Sequence, residues 1–255
     1  MLELKNINKY FGGLHAVNDV SFRVEAGSIK AVIGPNGAGK TTLFNLIAGV
    51  LAPTSGSILF RDKEINGFRP HRIAGLGISR TFQNIKLFHG MSALENVMLG
   101  RHSRSRSGFL AGMFNLPHTW KEEKSIRAKA MELMEMLEID RYAESDATSL
   151  SFGQQRAVEM ARALATEPDL LLLDEPAAGL NIYETAEVAR LIGRIREMGI
   201  TVLLVEHDMS LVMDISDEIV VLSFGVKIAE DKPRAIQRDP EVIKIYLGVD
   251  EEAAA

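Results

Sequence analysis

The chain contains no cysteine, which excludes disulfides, thiolate metal sites and thiol redox chemistry and fits a reducing compartment. It also lacks long apolar runs. Leu170 to Leu173, Val202 to Val205 and Ile219 to Leu222 are strand lengths, far below the roughly 20 residues needed to cross a bilayer, so a link to a membrane is expected to run through a partner. The first eleven residues, MLELKNINKYF, have no continuous apolar core, and no secretory signal is expected there. Neither sign of charge dominates. Against 34 acidic residues stand 29 basic ones, scattered rather than striped, and the net charge of -5 provides no electrostatic footprint for nucleic acid. With 46% hydrophobic and 25% charged residues over a length of 255, disordered and fibrous classes drop out, and one large domain or two unequal lobes remain.

What is present has two textures. Residues 1–82 read as short strands and turns: Leu2 to Ile7, Val20 to Val24, Ile29 to Ile33, Ile58 to Phe60 and Ile78 to Phe82, punctuated by Gly27, Pro53, Gly56 and Gly67. From Met91 to Asp146 the spacing turns helical, and Ile126, Ala130, Leu133, Met134 and Leu137 form one apolar face that reads as core. Arg101 to Pro117, with alternating Ser and Arg and the apolar Phe109, Leu110, Met113 and Phe114, reads as a flexible or partner-facing insert whose end Trp120 pins. After Ser151, buried strands alternate with helices: Leu170 to Leu173, a helix near Glu184 to Met198, Thr201 to Val205, then Ile219 to Leu222. Such alternation implies a parallel sheet flanked by helices. Residues 251–255 read as a frayed tail.

Three motifs carry chemistry. The segment Gly34, Pro35, Asn36, Gly37, Ala38, Gly39, Lys40, Thr41, Thr42 joins the strand Ile29 to Ile33 to the helix-forming run Leu43 to Ala48. Glycines let backbone N–H groups curl around phosphate oxygens, the helix N-terminus adds its positive dipole, Lys40 reaches the outer phosphates, and the Thr41 hydroxyl suits Mg²⁺. This is a phosphate loop for a nucleoside triphosphate. The second motif, Leu170 to Asp174 followed by Glu175 and Pro176, ends an apolar strand in two carboxylates at the sheet edge where the phosphate loop opens. Asp174 is placed to hold Mg²⁺, and Glu175 to polarise an attacking water. Adjacent acids at a strand end are common by chance; their place in the α/β order gives them weight. The third, Leu150 to Arg156, precedes the helical run Ala157 to Ala165. Its Ser151 and Gln154 also make a plain capping box, which establishes a helix start and no more.

At this third segment a resemblance becomes specific: Leu-Ser-Phe-Gly-Gln is similar to the LSGGQ signature of ABC-type ATPases, with Phe152 in place of the first of its two glycines. The remaining family positions follow in order. Phe11, ahead of Gly12 and Gly13, matches the aromatic that stacks on adenine, although a strand-end core aromatic would read the same way. Gln83 matches the Q-loop glutamine that senses Mg²⁺ and the attacking water. Ala177 to Asn181 matches the D-loop, with Asn181 where many relatives carry Asp and where a helix cap with Glu184 is equally readable. Of the six histidines, His207 alone follows a strand beside the site, and it matches the switch histidine that contacts the γ-phosphate. The resemblance implies an α/β fold of the P-loop NTPase, ABC nucleotide-binding type: one domain over 1–255, with a mixed RecA-like core sheet and antiparallel β subdomain in 1–90 and 156–250 and a helical subdomain at 91–155. It also implies that Ser151, Gly153 and Gln154 face the ATP of a second ATPase subunit, so that each chain is half of two sites. In related phosphoryl-transfer enzymes, stabilisation from a second chain is worth ~10³ to 10⁵ in rate.

Within that family, Arg80 to Gln83, Leu87, Phe88 and Met91, Glu95 to Val97, the insert, and the segments around Asp174 and His207 resemble the branched-chain amino-acid uptake subfamily, in its longer paralogue. That implies ATP and Mg²⁺ as ligands, permease subunits and indirectly a solute-binding protein as partners, and a peripheral place on the cytoplasmic membrane face. Leu87, Phe88 and Met91 are candidate permease contacts or, equally, core. Two other classes are weaker. A repair or chromosome-maintenance ATPase needs long heptad arms, absent between Gln83 and Ser151; a regulator without turnover has no use for both Glu175 and His207.

Overall fold

The computed structural model describes residues 1–101 and 117–247. The insert beyond Arg101, its apolar residues, the Trp120 side chain and the C-terminal tail lie outside the described residues.

Two sheets organise the chain. Strands β1 (Leu2–Phe11), β2 (Leu14–Val24), β4 (Ser55–Phe60) and β5 (Lys63–Glu64) form an antiparallel sheet in the order β2-β1-β4-β5. The second sheet, in the order β10-β9-β3-β8-β7-β6, comprises β3 (Ile29–Ile33), β6 (Ile78–Arg80), β7 (Leu170–Asp174), β8 (Thr201–Val205), β9 (Glu218–Ser223) and β10 (Val226–Asp231). Its strands run parallel except β10, which returns antiparallel on β9. All five residues of β3, β7 and β8 are buried. Their side chains alternate between two cores: Leu171 and Leu173 pack with the helices, Leu170 and Leu172 with the antiparallel sheet. A strand buried on both faces must be apolar throughout, which is why these read as continuous runs. Burying each such side chain contributes about 1.5–3 kcal/mol. The parallel sheet is thus helix-covered on one side, whereas its other face meets the antiparallel sheet together with α1 (Lys40–Ile47).

Helices α2 (Pro70–Gly75), α3 (Ala93–Gly100), α4 (Pro117–Met136), α5 (Phe152–Leu164), α6 (Ile182–Glu197), α7 (Met209–Ile215), α8 (Pro233–Ile236) and α9 (Pro240–Leu247) complete the described chain. The expected stripe on α4 is largely confirmed as core, with Ala130, Leu133, Met134 and Leu137 all buried and Ile126 half-buried. Met91 and Ala147 close the base of this helical part through the bond from Ala147 N–H to Met91 O at 3.1 Å. Among the described residues, no helix is long and apolar enough to cross a membrane.

Candidate functional site

The cleft forms where β3 stops. Gly34 has φ 148°, and a Cβ there would stand 2.1 Å from Leu222 O; Gly39 has φ 99°, and a Cβ would meet Ala16 O at 2.5 Å. Only glycine serves at either place, so the loop can lie against β9 and β2 and still turn into α1. Gly39 caps α1 without a side-chain bond, leaving the first-turn amides free for an anion. The Lys40 ammonium is buried and donates to Gly34 O at 2.6 Å and Pro35 O at 2.9 Å. Burial pushes its pKa down, and the negative charge of Glu175 works against that shift.

Around this loop lies a cleft of about 470 Å³. Phe11, Asn36, Gly37, Ala38, Gly39, Lys40, Thr41, Thr42, Gln83 and Glu175 line it, together with Leu14, His15, Ala16 and Phe224, which the sequence reading did not single out. Phe11 is brought there by the hairpin of β1 and β2, whose two-residue turn is Gly12 and Gly13. Its ring is 45% exposed with the Lys9 ammonium 5.1 Å from its centre, a placement that favours a ligand-facing ring over a core aromatic.

Opposite the loop, Gln83 Nε2 donates to Glu175 Oε2 at 2.8 Å, and His207 Nδ1 lies 3.8 Å from the same oxygen. Glu175 holds φ 48°, a left-handed conformation costing a non-glycine residue on the order of 1 kcal/mol, with its N–H donating to Val205 O at 2.9 Å. Asp174 is buried at the end of β7 and receives Arg80 Nη2 on its Oδ2 at 2.6 Å. The Thr41 hydroxyl and the Asp174 carboxylate are hard oxygen donors of the kind a divalent cation takes alongside phosphates, rather than within an all-protein cage. Among the described residues there is no cluster of three or more His, Asp or Glu that would form such a cage.

Several residues here were not foreseen. Glu206, fully buried, accepts from Ala177 N–H on one oxygen at 2.8 Å, and from His207 N–H at 2.8 Å and Asp208 N–H at 3.1 Å on the other. Arg156, equally buried, donates to Phe82 O at 2.9 Å and Gln83 O at 3.1 Å while pairing with Glu159 at 2.9 Å, which ties α5 to the segment around Gln83. Burial raises the Glu159 pKa, and the Arg156 charge opposes the rise. The sequence marks none of them: Glu206 stands just past an apolar strand, and Arg156 and Glu159 lie in an amphipathic helix with other polar residues.

Ser151, Gly153 and Gln154 line a separate cavity of about 250 Å³ with Glu184, Arg141 and Arg190. The capping box is real: Ser151 N–H donates to Gln154 Oε1 at 3.0 Å, and Ser151 caps α5. Phe152 is 45% exposed and packs on the turn at Gly179, where an added Cβ would stand 3.4 Å from its ring. Asn181 likewise caps α6, accepting from Tyr183 N–H at 2.9 Å and Glu184 N–H at 3.1 Å. Of the candidate permease contacts, Phe88 is exposed, Leu87 packs against the core, and Met91 is half-buried.

Comparison with known proteins bears on this geometry. The profile described as "ABC transporter" matches residues 17–178, and "Branched-chain amino acid ATP-binding cassette transporter" matches residues 226–252. The chain is 45% identical to the high-affinity branched-chain amino acid transport ATP-binding protein BraF of Pseudomonas aeruginosa over 97% of this chain and 98% of that protein. It is 41% identical to LivG of Escherichia coli, a protein of the same description, with the same coverage. Its fold matches a nucleotide-free ATP-binding cassette from an ABC transporter with TM-score 0.85 and 34% identity, covering 96% of this chain and 98% of that one. It also matches the dimeric post-hydrolysis cassette MJ0796 bound to ADP and Pi, with TM-score 0.77 and 29% identity over 92% and 99% of the two chains. With a phosphate loop, a carboxylate-bearing β7 and a separate signature helix, the chain belongs to the ABC transporter family as one of its ATP-binding cassettes.

Proposed function

We propose that this chain is the ATP-hydrolysing subunit that energises uptake of branched-chain or related amino acids by a membrane transporter, acting at the cytoplasmic face. The bond between Gln83 and Glu175 inside the phosphate-loop cleft carries the reading: it holds a carboxylate in the cleft that also contains Lys40 and the loop, which supports a role for Glu175 in orienting the attacking water. Identity of 41–45% to two branched-chain amino-acid transport subunits and the C-terminal profile at 226–252 support the substrate class.

Phosphates are cradled by the amides of Asn36 to Thr42 and the Lys40 ammonium. The adenine rests against Phe11. Glu175 orients the water and accepts its proton, Gln83 steers that carboxylate, and His207 stands beside both. Thr41, Asp174 and Gln83 would hold Mg²⁺, which when bound offsets the charge of the phosphate oxygens. Ser151, Gly153 and Gln154, which line their own cavity, support a site completed across a dimer. Their caps and the first amides of α5 would supply positive potential to the nucleotide of the opposing chain.

For the permease, the groove lined by Phe82, Lys86, Phe88, Leu99 and Arg162 is the proposed contact, with a volume of about 490 Å³. Phe88 is its exposed aromatic anchor.

A phosphate-release assay on Glu175→Gln tests the central assignment. The variant is expected to bind ATP normally, to lose about 10² to 10⁴ in turnover, and to remain dimeric longer. Unchanged turnover overturns the role of Glu175.

A further inference from the structure

The strand that leads to Gln83 ends in a cation already bonded to the acid of the proposed metal site. Arg80, the last residue of β6, is 12% exposed in its side chain. Its two terminal nitrogens are committed, Nη1 to Asn45 Oδ1 at 2.7 Å and Nη2 to Asp174 Oδ2 at 2.6 Å. The guanidinium carbon lies 5.8 Å from the Phe44 ring centre and 6.0 Å from that of Phe82, and Nε is buried without a hydrogen bond. Three neighbouring elements therefore hold this charge in place: α1 through Asn45 and Phe44, β7 through Asp174, and the Q-loop through Phe82.

A carboxylate at this depth requires a counter-charge, and Arg80 supplies it with a short charge-assisted bond. The same carboxylate is asked to receive a divalent cation. A fixed guanidinium one hydrogen bond from a metal ligand repels the metal and draws electron density from the ligand, and weak solvent screening at this depth makes the effect large.

We propose that Arg80 is a positioning residue that competes with Mg²⁺ for Asp174: it orients the carboxylate and sets the metal affinity of the nucleotide site below what the bare acid would give. This rests on the assignment of Asp174 as the metal's carboxylate. The arrangement has a second consequence. Arg80 also lines the groove that contains Phe82, Lys86, Phe88 and Arg162, so one side chain borders the metal ligand and the proposed docking surface together.

The test is an equilibrium titration of Mg²⁺ into the full chain bound to a fluorescent, non-hydrolysable ATP analogue, with affinity for the analogue in EDTA measured alongside. Arg80→Met and Arg80→Gln, which remove the charge, are expected to lower the half-saturating Mg²⁺ concentration about tenfold, with affinity in EDTA unchanged. Arg80→Lys, which keeps the charge but not the fork that reaches both Asn45 and Asp174, is expected to fall between the parent and the neutral variants. A purely structural Arg80 predicts weaker binding under every condition; a half-saturating Mg²⁺ that is unchanged or higher in the neutral variants overturns the proposal. Asp174→Asn separates the two layers. A magnesium requirement unaffected by Asp174→Asn defeats the metal assignment itself, whereas a raised requirement with no gain in the Arg80 variants defeats the competition alone. Should the neutral variants not fold, the parent chain still decides. The arginine Nε resonance of Arg80, assigned with Arg80→Lys, is expected to shift when Mg²⁺ is added to the analogue complex, and a stationary resonance overturns the proposal.

Discussion

At the scale of single residues, Lys40 shows how a binding site is kept ready. Its ammonium is satisfied by two loop carbonyls, so it is neither an unpaired buried charge nor free to swing away. Lys40→Ala is expected to weaken ATP binding about 10- to 100-fold, the scale of hydrogen bonds to charged groups, as read by titration of a fluorescent nucleotide; unchanged affinity would contradict the phosphate-loop assignment. The buried pair Arg156 and Glu159 makes a stability prediction. Removing the guanidinium alone leaves a buried carboxylate uncompensated, so Arg156→Ala is expected to cost about 3–5 kcal/mol in urea unfolding. Adding Glu159→Gln should recover part of that loss, and strict additivity would show that the two side chains are not coupled. Lys40 and Glu175 could be named from local motifs, whereas Phe11, Gln83 and His207 could be named only through the family resemblance. Arg80, Arg156 and Glu206 were not legible as site residues. Besides near neighbours, each has a partner far along the chain, Asp174, Gln83 and Ala177 at 94, 73 and 29 residues, and register and packing decide such encounters.

At the scale of elements, the strands buried on both faces were read from their apolar runs almost to the residue, as Thr201–Val205 shows. β1 and β2 are longer than their alternation suggested, because register shifts between Leu4 and Ile7 and again near Lys9 interrupt the period of two. β10 was missed altogether: it is an edge strand with exposed ends, and little apolar patterning is required of it. One contact between elements gives a pH signature. Glu138, just past α4, is held below the ordinary glutamate value of 4.5 by the hydrogen bond from Arg190, despite some desolvation, and further by the charges of Arg190 and Arg194 on α6. A carboxylate with a lowered folded pKa contributes its stabilisation in full above that ordinary value and loses it as pH falls through the folded value. Glu138→Gln is therefore expected to reduce stability at neutral pH slightly and to leave the most acidic limb unchanged, as measured by thermal unfolding from pH 7 to pH 3. An equal loss at every pH would contradict the linkage.

At the scale of the whole molecule, the decisive fact is that the phosphate loop and the signature helix line different cavities. On the proposed reading, neither cavity alone encloses a triphosphate. A chain with Lys40→Ala keeps its signature, and one with Ser151→Arg keeps its phosphate loop; each alone is expected to be nearly inactive. Mixed in equal amounts, they should regain phosphate release through one composite site, and silence in the mixture would argue against completion between copies of this chain. The parallel core was legible because its strands, buried on both faces, must be apolar throughout and alternate with helices after Ser151. The antiparallel sheet covering one face of the core followed from the resemblance rather than from alternation of strands and helices.

Glu206 has no place in the hydrolysis step, yet its carboxylate is a knot between two loops: one oxygen fastens the turn that follows Glu175, the other the start of the segment bearing His207. Loops tied at a single buried point cannot drift independently. The turn at Ala177 and the segment that carries His207 therefore share one pivot, and their separation is set by a single carboxylate rather than by whatever occupies the cleft.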